Sequence, residues 1–121
     1  MNQSLLKDYT ANDVWLVLIQ MCHLKATNPN GMPPLFFQHF WSKSGEMQTK
    51  MVLDFLHLGV SSPNFNETHI VLIPKINEPK QVTDYRPISL CYVMYKIATK
   101  TIANRLKKIY LLLLVILRVL L

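Results

Sequence analysis

The sequence predicts an α+β fold that is mainly helical, with one short antiparallel β-hairpin and a long C-terminal helix. Three observations carry this expectation. The apolar, β-branched run Ile70, Val71, Leu72 and Ile73 is stopped by Pro74, and after a polar loop a second extended stretch, Tyr85 to Leu90, follows. Ahead of that pair, apolar residues recur at helical spacing from Thr10 to Met21 and from Leu35 to Leu58. Behind it, Leu90 to Ile109 alternates an apolar and a basic face with a period of three to four residues. With 121 residues, half of them hydrophobic, the chain fits one small domain with a modest core.

Taken in order, residues 1–9 carry no element signal and are expected to be unassigned or disordered. They also lack the charged start and apolar core of a signal peptide. Thr10 and Asp13 have the spacing of a capping box. The helix they open, through Val14, Trp15, Val17, Leu18 and Met21, is apolar around much of its circumference and must be covered. It ends before Lys25-Ala-Thr-Asn-Pro-Asn-Gly31, a turn cluster in which Gly31 can supply a positive φ. Pro33 and Pro34 suit the first turn of a short helix containing Leu35, Phe36, Phe37, Phe40 and Trp41. These aromatics read as core, with base stacking as the alternative.

Ser44 is expected to cap a helix over Glu46 to Leu58, with Met47, Met51, Leu53, Phe55, Leu56 and Leu58 as its apolar stripe and Gly59 as its stop. Ile70–Ile73 then reads as a buried strand. Glu78-Pro79 breaks any regular element between the two extended stretches, and Arg86, directly before Pro87, is pushed to extended geometry. Pro87 cannot donate to a ladder and belongs at a strand start or an edge. In the last helix Tyr95, Ala98, Ile102, Leu106 and Ile109 form the expected inward stripe, with Lys96, Lys100, Asn104 and Lys107 on another face. The tail, residues 110–121, turns to almost uniform Leu, Val and Ile. It is expected to continue the helix, but it falls short of the about 20 apolar residues a spanning helix needs, and Arg118 interrupts it.

Charge is unevenly placed. The net charge is +6, yet residues 1–74 hold four Lys/Arg against five Asp/Glu, whereas 75–121 hold nine against two. Such asymmetry points to a polyanion partner for the second half, with a solvated basic face as the plain alternative. Cys22 and Cys91 lack metal-like or redox-motif spacing and read as buried free thiols; the four histidines lack zinc-like spacing.

The run NFNETHIVLIPKINEPKQVTDYRPISLCYVMYKIATKTIANRLKK resembles the fingers region of reverse transcriptases from LINE-like, non-LTR retrotransposons, especially the plant type. The upstream stretches GMPPLFFQHFW and VLDFLHLG resemble the same family in the same order. The likeness covers roughly Thr10 to Ile109, so residues 10–109 are expected to form a partial reverse transcriptase domain of fingers-like fold. The apolar tail 110–121 lies outside the likeness and reads as a frameshifted or spliced remnant of a decayed element, with a peripheral membrane anchor as the alternative; a membrane partner is not expected. At 25–31 family members usually read close to KAPGPDG. Here Thr27, Asn28 and Asn30 replace Pro, Gly and Asp, which removes one acidic side chain from a loop near template and nucleotide.

The resemblance implies RNA-directed DNA polymerisation by two divalent metals, Mg2+ in the full-length family, held by clustered carboxylates. Those carboxylates lie in palm motifs downstream of the NRLKK block, and none of the seven acidic residues here matches them. The chain alone is therefore expected to be catalytically inactive, with no cofactor of its own and a missing palm as its natural neighbour. By the same resemblance Arg86, and with it Lys75, would grip the triphosphate of an incoming nucleotide. An Arg fork suits phosphate oxygens and Lys supplies a mobile charge. The alternative for Arg86 is an ion pair with Asp84. Lys96, Lys100, Arg105, Lys107 and Lys108 would add salt-sensitive attraction to the backbone of an RNA/DNA template-primer. An intracellular location, nucleus or cytoplasm, is what the family implies. The rival functions are a stand-alone basic nucleic-acid-binding module and a non-functional, membrane-associating remnant.

Overall fold

In a computed structural model of the chain, residues 2–21, 31–59 and 63–120 are described. Among the described residues four helices precede the hairpin: α1 (Asn2–Leu6), α2 (Ala11–Gln20), α3 (Pro34–His39) and α4 (Trp41–Leu58). Strands β1 (Thr68–Pro74) and β2 (Tyr85–Cys91) follow, joined by a loop with a 3-10 turn at Val82–Asp84, and then α5 (Val93–Leu120). The architecture is the α+β arrangement expected, with a two-stranded antiparallel hairpin and a long last helix.

Local chemistry sets several element ends. Thr10 and Asp13 form a reciprocal capping box at the start of α2, side chain to backbone in both directions. Gly59 stops α4 at φ 67°, a left-handed conformation that a side chain would strain. Gly31 stands at φ 72°; the rest of the KATNPN turn, with Cys22, lies outside the described residues. Asn2–Leu6, for which the sequence carries no signal, forms the short helix α1. Gln38 on α3 donates to the carbonyls of Leu18 and Met21, satisfying two of the groups that the end of α2 leaves open.

The core is built from α2, α4 and α5: Val14, Val17, Leu18, Val52, Val93, Ile97 and Ala98, with Phe65 and Met94. Phe65, just before β1, stacks against Phe55 of α4 (4.9 Å) and Tyr95 of α5 (5.9 Å), and this trio roots the hairpin on the helical body. Trp15 and Trp41 meet at 5.0 Å, and the Trp41 ring lies across Gly45 one turn later in α4.

Several expectations are corrected. The helix expected from Glu46 begins at Trp41, separated from α3 by the single residue Phe40. The Ser44 hydroxyl donates back to the Phe40 carbonyl inside the helix and caps nothing. Phe40 and Trp41 therefore fall outside α3. The fully buried residues of α4 are Gly45, Gln48 and Val52; of the stripe expected, Met51, Leu53, Phe55 and Leu56 pack half-buried against the core, while Met47 and Leu58 are exposed. In α5, which starts at Val93 and not at Leu90, the buried stripe is Val93, Met94, Ile97, Ala98 and Thr101. Of the inward stripe expected, only Ala98 is buried, and Leu106 is 55% exposed. β1 is exposed along its whole length, not buried, with Ile70 71% exposed. A two-stranded sheet has no inner strand, and the main neighbour of β1 is β2. As expected, α5 runs on without a break through the apolar tail to Leu120.

Candidate nucleic-acid interface

The hairpin register places the two residues singled out for phosphate binding. Ile73 pairs with Arg86, and the Lys75 amide donates to the Asp84 carbonyl at 2.7 Å, carrying the ladder one step further. Side chains in an antiparallel pair alternate faces with period two. Lys75, Ile73, Arg86 and Ile88 therefore share one face, where with Pro74 they line an open cleft of about 400 Å3. Stepping in twos from the Lys75–Asp84 bond puts Leu72–Pro87 and Pro74–Tyr85 in non-hydrogen-bonded pairs. Both prolines thus turn their missing N–H away from the partner strand, which is how a ladder tolerates them.

The charged ends of this face differ in engagement. The Lys75 ammonium donates to the Thr83 carbonyl at 3.2 Å. Arg86 is exposed and forms no ion pair among the described residues. Asp84, the alternative partner, turns elsewhere: its carboxylate accepts the backbone N–H groups of Gln81 (2.9 Å) and Lys80 (3.0 Å). Those two hydrogen bonds hold its pKa below the ordinary value, the Gln81 bond most strongly. Asp84 thereby fixes the 3-10 turn and leaves the guanidinium of Arg86 uncommitted.

The helix cations fall into two groups. Lys107 and Lys108 are exposed, and Lys96 and Lys100 are half-buried. Arg105 is placed otherwise. Its guanidinium donates to the carbonyls of Leu5 (3.2 Å), Lys7 and Asp8 (3.5 Å), and lies 3.6 Å over the Tyr9 ring. The Tyr9 amide in turn donates to Nε2 of His57 (3.1 Å). Arg105 thus clamps residues 5–9 onto α5, and an open groove of about 830 Å3 between α2 and α5 results. Asn104, whose amide donates to the Gln20 side chain at 3.1 Å, sits in its wall with Lys7, Lys107 and Lys108. Sequence reasoning missed this clamp, because its partners stand nearly a whole chain apart and leave no local pattern.

Of the aromatic cluster, Phe37 and Trp41 pack against the core, while Phe36 and Phe40 are 39% exposed each and stack on one another at 4.9 Å. Cys91 is a half-buried free thiol. Among the described residues no three His, Cys, Asp or Glu side chains converge.

No family model matches the chain. It is 28% identical over 100 residues to the Transposon TX1 uncharacterized 149 kDa protein of Xenopus laevis. The match takes in 83% of this chain but only 8% of that protein, so the chain spans a small part of the relative's length. The chain is thus distantly and partially similar to a transposon-encoded protein.

Proposed function

We propose that this chain derives from the fingers of an RNA-directed DNA polymerase of a LINE-like retrotransposon, and that by itself it binds nucleic acid or nucleotide triphosphate without polymerising. The observation that carries this reading is the pairing of Lys75 and the uncommitted Arg86 on one hairpin face, in a half of the chain with nine cations and two anions. A fork donor beside a point charge is a phosphate-binding arrangement. Lys96, Lys100, Lys107 and Lys108 add non-specific attraction to a phosphate backbone. The distant likeness to a transposon-encoded protein and the fingers-like order of sequence motifs support the descent. Polymerisation would need a carboxylate-bearing palm that these residues do not supply.

The test is fluorescence anisotropy of a labelled RNA–DNA primer-template titrated with the full chain across a salt series. Saturable binding is expected, with a salt slope that falls by about one for each phosphate contact removed in Arg86→Ala and Lys75→Ala. Binding indifferent to both substitutions would overturn the assignment of the hairpin face.

A further inference from the structure

After Thr101 no residue of α5 through Leu120 is buried, and beyond the Arg105 clamp every residue from Tyr110 to Leu120 is exposed. At about 100° per residue, Lys96, Lys100, Lys107 and Arg118 fall within about 40° of one line along the helix. Ile102, Leu106, Ile109, Leu113, Ile116 and Leu120 fall within about 80° of one another on the opposite half of the wheel. The core-facing residues Val93, Met94, Ile97, Ala98 and Thr101 lie between the two stripes, so packing against the body half-buries Lys96 and Lys100 and leaves the rest of both stripes outside the core. Leu113, Ile116 and Leu120 are 42%, 38% and 75% exposed.

We infer that the distal half of α5 is a docking helix for an anionic lipid surface, lying along the bilayer with its cationic stripe at the headgroups and its apolar stripe in the acyl boundary. Two observations select this occupant. From Tyr85 to Leu121 the chain has seven Lys/Arg and no Asp or Glu, a one-signed segment that complements an anionic surface. Over Tyr110 to Leu117 every residue is exposed and apolar, a continuous run of the kind an acyl boundary takes up. A phosphate backbone matches the cations but offers the apolar stripe nothing. A lipid surface satisfies both, by the combination of buried apolar area and charge that holds interfacial helices. Among the described residues no helix is long and apolar enough to cross a membrane; the placement is along the surface.

The experiment is flotation of the full chain with vesicles of phosphatidylcholine alone and of phosphatidylcholine mixed with phosphatidylserine. The chain is expected to float with the anionic vesicles, and Lys107→Gln and Arg118→Gln to weaken binding by about fivefold each. The double variant L113Q/I116Q, at exposed positions, is expected to keep its helical circular dichroism and its primer-template anisotropy while losing flotation. Equal flotation with neutral vesicles, or flotation unchanged in L113Q/I116Q, would overturn the inference. Loss of primer-template binding in that variant would also overturn it, by showing that the stripe serves nucleic acid instead.

Discussion

Replacing Arg105 by alanine removes the clamp that holds the N-terminal segment to α5. The guanidinium reaches two main-chain carbonyls well and a third at the limit of bonding, and it stacks on Tyr9. Charged hydrogen bonds contribute about 1.5–3 kcal/mol each at most, and the half-exposed site brings water into competition, so the bonds together contribute about 1.5 kcal/mol. The stack adds about 0.5–1 kcal/mol. The expected loss is therefore about 2 kcal/mol, roughly thirtyfold in an opening equilibrium. None of residues 3–9 is buried, so the loss should appear as local opening and not as global unfolding. Hydrogen exchange is the assay: the Tyr9 amide, bonded to His57, should lose about thirtyfold protection while the amides of Val17 and Ile97 keep theirs. Arg105→Lys should restore the charge but only part of the protection, because an ammonium cannot span the fork. Unchanged Tyr9 protection in Arg105→Ala, together with a tenfold loss of primer-template binding, would refute the clamp and return Arg105 to the phosphate-binding set.

Three further outcomes are expected. Gly45→Ala should destabilise the fold by about 1–3 kcal/mol although alanine is the better helix former, because its Cβ would stand 2.7 Å from two ring carbons of Trp41; an unchanged or raised melting temperature would refute this. Gln48→Met should raise the melting temperature, by about 1 kcal/mol of stability, because among the described residues the buried Gln48 Oε1 has no hydrogen-bond partner while its Nε2 donates to Ser44. The turn at Val82–Asp84 should loosen in acid. A carboxyl whose folded pKa is depressed contributes above its ordinary value of 3.8 and loses that contribution as pH falls through the lowered value, so the Gln81 and Lys80 amides should lose protection only below that ordinary value, and at neutral pH in Asp84→Asn.

Much of this molecule follows from interactions a few residues long, and those were legible in the sequence. The Thr10–Asp13 capping box, the left-handed glycines at 31 and 59, the extended Arg86 before Pro87 and the unbroken helix into the tail each depend on groups within one turn of one another. The concentration of cations after residue 75 is a property of composition and needs no fold. Faces are different. Periodicity says that a helix has an apolar side, but what covers it decides which side that is. α4 buries Gly45 under the Trp41 ring and Val52 in the core it shares with α2 and α5, and α5 turns Val93, Ile97 and Thr101 inward while Ile102 and Leu106 stay outside. β1 carries the residues of an inner strand yet is exposed, since an apolar run records a preference for cover and not the presence of a neighbour. Only the tertiary structure brings Arg105 to the carbonyls of residues 5–8 and turns Asp84 to the backbone, leaving Arg86 free among the described residues. Local bonds are written in spacing; burial and long-range partners are settled by which surfaces the folded chain lays against each other.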